Sequence, residues 1–172
     1  MSNQFSMQDR NVKVASVNPR AEKHGEDNVL AADIKIQANC ASTVLDHFEP
    51  KLRSLLFRKP AVGEQQALPV DGNEGMTGIR CPELGELSWD AELTGYTMKI
   101  TRGMGLAEPL LIDGVDLKKF RFSPLEGGTV AISFNVVCHP DTEQMGQLCD
   151  LIQEEVELTL IAPKAAAQKK AA

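Results

Sequence analysis

Aromatic side chains are scarce in this sequence: one Trp, one Tyr and six Phe amount to 5% of 172 residues. Proteins that hold single-stranded nucleic acid without reading its sequence stack bases on several aromatic rings. An aromatic-poor chain has little from which to build such a platform. Long apolar runs are also missing. Nothing approaches the ~20 residues of a membrane-spanning helix, and the opening MSNQFSMQDRN lacks the apolar stretch of a signal peptide. The expectation is therefore a cytoplasmic protein with no membrane partner.

Paired cysteines are absent as well. Cys40, Cys81, Cys138 and Cys149 form no CxxC pair and show no zinc-finger or zinc-ribbon spacing. In a reducing compartment they are expected as free thiols, with Cys40 and Cys138 packed as small hydrophobes on strand faces. The chain has no GxxxxGK[ST] loop, no GxGxxG after a strand, no HExxH and no GxSxG. The Gly-x-Gly of RGMGLAE is not followed by a clear helix whose N-terminus could take a phosphate. Catalysis is not expected, and no cofactor or metal is assigned.

Positive charge is outnumbered. Eighteen Lys and Arg face 24 Asp and Glu, a net −6, and setting aside Lys164, Lys169 and Lys170 of the tail leaves the body at −9. A body this acidic has no global attraction for a polyanion, so nucleic-acid binding would require a segregated basic patch.

What the sequence does contain is two-residue alternation. In VLAADIKIQANC, Leu30, Ala32, Ile34, Ile36, Ala38 and Cys40 share one face and Asp33, Lys35, Gln37 and Asn39 the other, which is a strand with one dry face. VKVASV predicts a short strand and NPRAEKHGEDN a polar loop. ELSWDAEL and YTMKIT predict a hairpin about Thr94-Gly95. LLIDGVDLKKFRF reads as one or two strands with a turn or bulge at Asp113-Gly114. Phe120 and Phe122 are expected to face the strand carrying Val130, Ile132, Phe134, Val136 and Cys138, across a turn at Gly127-Gly128. EVELTLIA closes the series.

Helical spacing appears in two places. Val44, Leu45, Phe48, Leu52, Leu55 and Leu56 recur at steps of three and four, predicting a helical turn over 43–48 and a helix over 50–58 beginning near Pro50. Met145, Leu148, Cys149 and Ile152 predict a second helix after Pro140. Length and pattern together predict a mainly β protein with minor α, an antiparallel β-sandwich or distorted barrel with one or two short helices. Residues 1–10 are expected as a flexible leader, 11–162 as a single β-rich domain with a long loop at 59–85, and 163–172 as a disordered Lys/Ala tail.

Cys138-His139-Pro140-Asp141 has the look of a metal or nucleophile site. Each member also has a structural task. Cys138 continues the inward face, His139 points the other way, and Pro140 ends the ladder for want of an N–H. Asp141 precedes a helix and, with Gln144, forms the spacing of a capping box. The structural reading is preferred. His24 lies among Glu22, Glu26 and Asp27, a set that resembles part of a divalent-ion site but equally a solvated turn, and the solvated turn is preferred. His47 reads as a boundary histidine.

Two basic clusters remain: Lys51, Arg53, Arg58 and Lys59 around an apolar helical stripe, and Lys118, Lys119 and Arg121 interleaved with Phe120 and Phe122. Alternation sends the phenylalanines to the face opposite Lys119 and Arg121, so a packed core beneath a solvated face is preferred over nucleic-acid contact.

EKHGEDNVLAADIKI, FRFSPLEGGTV with FNVVCHPD, and LIQEEVELTL together resemble a family of small tailed-phage and prophage proteins whose genes often lie among those of DNA replication and recombination. The resemblance spans most of residues 20–162. It carries no catalytic motif, so no functional residue transfers. It implies a bacterial host cytoplasm and a phage setting. The combined expectation is a non-enzymatic binding protein, a protein-interaction accessory in phage DNA metabolism or counter-defence, with a protein partner favoured over nucleic acid. The alternatives are a single-stranded DNA-binding accessory and, more remotely, a metal-dependent enzyme using His24 and the loop carboxylates.

Overall fold

The computed structural model describes residues 4–61, 63, 75–102 and 108–164. The elements in chain order are β1 (Met7–His24), β2 (Asp27–Ala41), a 3-10 helix (Ser42–His47), α1 (Leu52–Leu56), β3 (Phe57–Arg58), β4 (Gly78–Ile79), β5 (Leu87–Trp89), β6 (Leu93–Thr101), β7 (Leu110–Leu125), β8 (Thr129–Cys138), α2 (Thr142–Cys149) and β9 (Glu155–Ile161). The large sheet has the order β5-β7-β6-β9-β1-β2-β8, and β8 pairs back onto β7. Six strands thereby close into an antiparallel barrel, with β3 and β4 forming a separate two-stranded ladder. Of the two expected architectures, the barrel is the one realised.

Two compact units divide the chain. One comprises 1–5, 38–89 and 121–133, the other 6–37, 90–120 and 134–172. β2, β7 and β8, at 15, 16 and 10 residues, each contribute residues to both units.

In the second unit the core is built by alternation. Ala32, Ile34 and Ile36 of β2, Tyr96, Met98 and Ile100 of β6, Phe134, Val136 and Cys138 of β8, and Val156, Leu158 and Leu160 of β9 are all buried. Two strands break step and recover it. In β1 the buried positions run Val12, Val14, Val17, and the pairing with β2 shifts between Val14 and Ser16. In β7 they run Ile112, Val115, Leu117, Phe120, Phe122, with skips at Gly114 (φ 68°) and Lys119 (φ 57°). A bulge inserts one residue and returns the apolar series to the inner face. Phe120 and Phe134 stack with ring centroids 5.4 Å apart, the cross-strand aromatic pair the spacing predicts.

The first unit holds the remaining rings. Phe48 lies 5.3 Å from Phe5, 4.9 Å from Phe122 and 6.1 Å from Trp89. Leu45, Leu52, Leu56 and Phe57 are buried around them. The β7–β8 turn has Gly127 and Gly128 at φ 91° and 79°, as expected. Gly127 N–H donates to the Thr77 carbonyl at 3.0 Å.

Several expectations are corrected. Within the expected leader 1–10, of which 1–3 lie outside the described residues, Phe5 is 2% exposed and Met7–Arg10 are strand. NPRAEKH is not a loop but the far half of β1. It pairs with β2 out to His24↔Asp27, while β9 pairs with β1 only over Met7–Lys13. The missing N–H of Pro19 is tolerated because it falls where β1 has one ladder rather than two. The Thr94-Gly95 hairpin does not form. Gly95 (φ 77°) sits in a register shift within β6, and β5 pairs with β7, its Trp89 engaged edge-on with Phe48. The helix over 50–58 contracts to Leu52–Leu56, because Phe57 and Arg58 leave it to pair with Ile79 and Gly78. That pairing also puts strand into the expected loop 59–85, of which 62 and 64–74 lie outside the described residues. So do 165–172 of the expected tail. Leu55 and Ile152, assigned to apolar stripes, are exposed at 61% and 41%.

Phe134→Ala removes a ring that is 1% exposed and stacked on Phe120, and is expected to cost about 3–5 kcal/mol in urea unfolding. A loss below about 1 kcal/mol, the scale of an ordinary surface change, would contradict this core.

Candidate functional site

β1 and β2 are joined by Gly25-Glu26, with His24 paired to Asp27 and Gly25 at φ 69°. A glycine with positive φ at the first position suits a two-residue hairpin loop. Just before this loop, Arg20, Glu22 and His24 are spaced by two along β1, so their side chains leave the strand on one face. Glu22 and His24 meet a residue 117 positions from Glu22 in sequence, His139, which follows β8.

The geometry centres on Glu22 Oε2. His139 Nε2 lies 2.8 Å from it and His24 Nε2 3.3 Å. The two imidazoles stand nearly perpendicular, at 89°, with centroids 6.1 Å apart. The other carboxylate oxygen, Oε1, accepts from Arg20 Nη1, and Arg20 Nε donates to Asp33 Oδ2 at 3.0 Å. Hydrogen bonds from His139 and His24, with a further contribution from Arg20, hold the Glu22 carboxyl down at about 2. Glu22 is about one-quarter exposed, His139 43% and His24 58%. Ligand atoms of Glu22, His24 and His139 all lie within 4.8 Å of one another, an arrangement that can hold a metal ion.

The tetrapeptide divides as its residue types dictate. Cys138 is fully buried, and burial, with the nearby negative charge of Asp33, pushes its thiol up to about 12. A thiol so placed is not a nucleophile. Asp141 accepts from the Gln144 N–H at 2.8 Å while the Gln144 side chain accepts from the Asp141 N–H at 3.0 Å. The capping box is therefore complete. Pro140 is buried, and His139, turned outward as alternation requires, is the one member that enters the polar cluster.

The sequence-derived metal set of His24 with Glu22, Glu26 and Asp27 is thus half realised. Glu22 and His24 converge, Glu26 and Asp27 are not in the group, and His139 supplies the third ligand atom. Reading NPRAEKHGEDN as a loop hid the fixed i, i+2 relation of Glu22 to His24. Nothing local in the sequence joins them to His139.

The six basic candidates are placed as follows. Arg53 pairs with Asp46 at 3.4 Å and Arg121 with Glu86 at 3.0 Å. Arg58 packs over Gly78, where a Cβ would meet its guanidinium at 3.1 Å, and donates to the Lys59 carbonyl at 3.3 Å. Lys51, Lys59 and Lys119 are exposed. Five of the six belong to the first unit and Lys119 to the second. Of the eight aromatic residues, Phe5, Phe57, Tyr96, Phe120, Phe122 and Phe134 are buried, while Phe48 and Trp89 are half-buried against each other.

No helix among the described residues is long and apolar enough to cross a membrane. Comparison of the chain with protein-family models, with curated proteins and with solved structures finds no match.

Two titrations follow. Because the Glu22 carboxyl is held near 2 rather than its ordinary 4.5, its contribution to stability is complete above about pH 4.5 and falls away as pH drops through about 2. Carboxyl carbon NMR should show this midpoint, and a midpoint near 4.5 would contradict the cluster. Cys138, raised to about 12 from 9, favours the folded state fully below about pH 9 and progressively less as pH climbs toward 12. At pH 8 iodoacetamide should label the exposed Cys81 and Cys149 and leave the buried Cys40 and Cys138 unmodified.

Proposed function

We propose that the protein is a non-enzymatic binding protein that engages another protein through its first unit. The observation that carries this reading is Leu55. On the five-residue helix α1 its neighbours Leu52 and Leu56 are 8% and 2% exposed, yet Leu55 stands 61% exposed. Leu84 and Leu125, in the same unit, are exposed at 44% and 37%. Leu55 and Leu125 lie on segments bonded to residues beside β4, and Leu84 lies in the turn that follows it. Arg80 N–H donates to the Leu56 carbonyl at 2.9 Å, its Nε to Ser54 O at 3.0 Å, and Gly127 N–H to Thr77 O. Leu84 N–H donates to Cys81 O at 3.0 Å. Single exposed leucines are ordinary, and the second unit also exposes Leu111, Ile152 and Ile161, but Leu55 stands on a helix whose next residue is bonded to Arg80 and so presents an apolar side chain to a partner at little ordering cost.

The resemblance to tailed-phage proteins supplies the setting: an accessory in phage DNA metabolism or counter-defence, in a bacterial host. A protein partner is favoured over single-stranded DNA because Arg53 and Arg121 are already neutralised by carboxylates and the rings are committed to packing rather than to stacking bases.

Affinity capture from nuclease-treated host lysate, with and without phage infection, is the test. A specific protein should be retained by the native chain and lost, by at least about tenfold, with Leu55→Asp, the scale of one buried hot-spot side chain. Capture that vanishes on nuclease treatment, with oligonucleotide affinity that collapses in added salt, would replace this reading by the single-stranded DNA one.

A further inference from the structure

We infer that Glu22 Oε2, His24 Nε2 and His139 Nε2 form a binding site for a single zinc-class divalent transition-metal ion. The inference is independent of the protein-binding reading and rests on the second unit alone.

Three observations support it. First, the donor set is two imidazoles and one carboxylate. Calcium and magnesium take oxygen ligands, whereas imidazole selects zinc and its neighbours in the transition series. Second, the spacing fits. In a tetrahedral site with bonds of ~2.0–2.1 Å the ligand atoms are ~3.3–3.4 Å apart. The two imidazole nitrogens lie 2.8 and 3.3 Å from the carboxylate oxygen, and all three atoms fall within 4.8 Å of one another. Small rotations of two exposed rings bring them to a common centre. Third, the carboxylate is already aimed. Arg20 occupies Oε1 and leaves Oε2 to the rings, and Asp33, itself bonded to Arg20, offsets the guanidinium charge. Supporting hydrogen bonds of this kind orient the ligands of established metal sites.

In the metal-free arrangement both imidazoles donate from Nε2 to a single carboxylate oxygen, whose two lone pairs accept both. To bind a divalent ion at Nε2 each neutral ring carries its hydrogen on Nδ1 instead, and a charged ring releases one proton to water; the ion then makes three coordinate bonds and takes water at the exposed fourth position. The ion ties the β1–β2 loop to the corner between β8 and α2, closing a separation of 117 residues. It acts as a clip on the half of β1 that β9 does not pair.

The test uses the full chain carrying Cys81→Ser and Cys149→Ser, so that exposed thiols do not compete for metal. After chelator treatment and dialysis, zinc is titrated by calorimetry at pH 7.5. The expected result is one zinc per chain and a Tm that rises with zinc concentration, with calcium producing neither. His24→Ala and His139→Ala, both at exposed positions, should each weaken binding by more than the ~10–100-fold that loss of a supporting partner costs. Cobalt(II) added to the same chain should give the visible absorption of a low-coordinate nitrogen–oxygen site with no thiolate charge-transfer band. No saturable zinc binding, or equal affinity in the His24→Ala/His139→Ala double variant, overturns the inference. A cobalt spectrum of a fully hydrated octahedral ion overturns it without relying on any histidine variant.

Discussion

The pairing of β8 with β7 is the constraint on which the rest depends. Without it the sheet would end at β8 and leave a long row of unpaired amides, the kind of edge that invites aggregation. With it, six strands close and the sheet has an inside and an outside. An enclosed interior must be apolar at every second residue of every strand. The bulges in β1 and β7 are consequences of that demand, since each restores the inward phase where strict alternation would have turned a Val or Phe outward.

Closure also accounts for where the polar cluster sits. A strand with two ladders has its direction fixed on both sides. Beyond Lys13, β1 keeps only its ladder with β2. That half of the hairpin is exposed enough to carry Arg20, Glu22 and His24 in a row and well enough paired to hold them at fixed spacing. The outward turn of His139 completes the cluster. It comes from the same alternation that buries Cys138, so a core requirement and a surface site share one dipeptide.

Legibility in the sequence followed the range of the interactions. β2, β8 and β9, the Gly127-Gly128 turn and the Asp141 capping box were all readable, because each is specified by residues within about ten positions. The long β1 was not, because Asn18-Pro19 and the charged run after it carry local loop signals that pairing with β2 overrides. The partner of β5 is not specified locally, because Gly95 is equally at home in a turn and in a bulge. In the structure β5 pairs with β7, with Trp89 docked on Phe48 and Gly95 N–H donating to Asp116. The candidate site was half visible, with His24 and Glu22 named together. His139 carries no local sign of joining them, because no spacing rule reaches across 117 residues. Leu55 fits the helical stripe by its spacing, yet in the structure it is exposed while Leu52 and Leu56 are buried.

Met7 pairs with Leu160, so the first and last strands begin and finish side by side in the same ladder. A connector run from the end of β9 to Gln4 would keep the buried Phe5 ring in place, and the chain could then be opened at the glycine turn between β7 and β8 to yield a permuted protein with the same strand neighbours. The order in which its strands leave the ribosome is a separate matter from the order in which they pack.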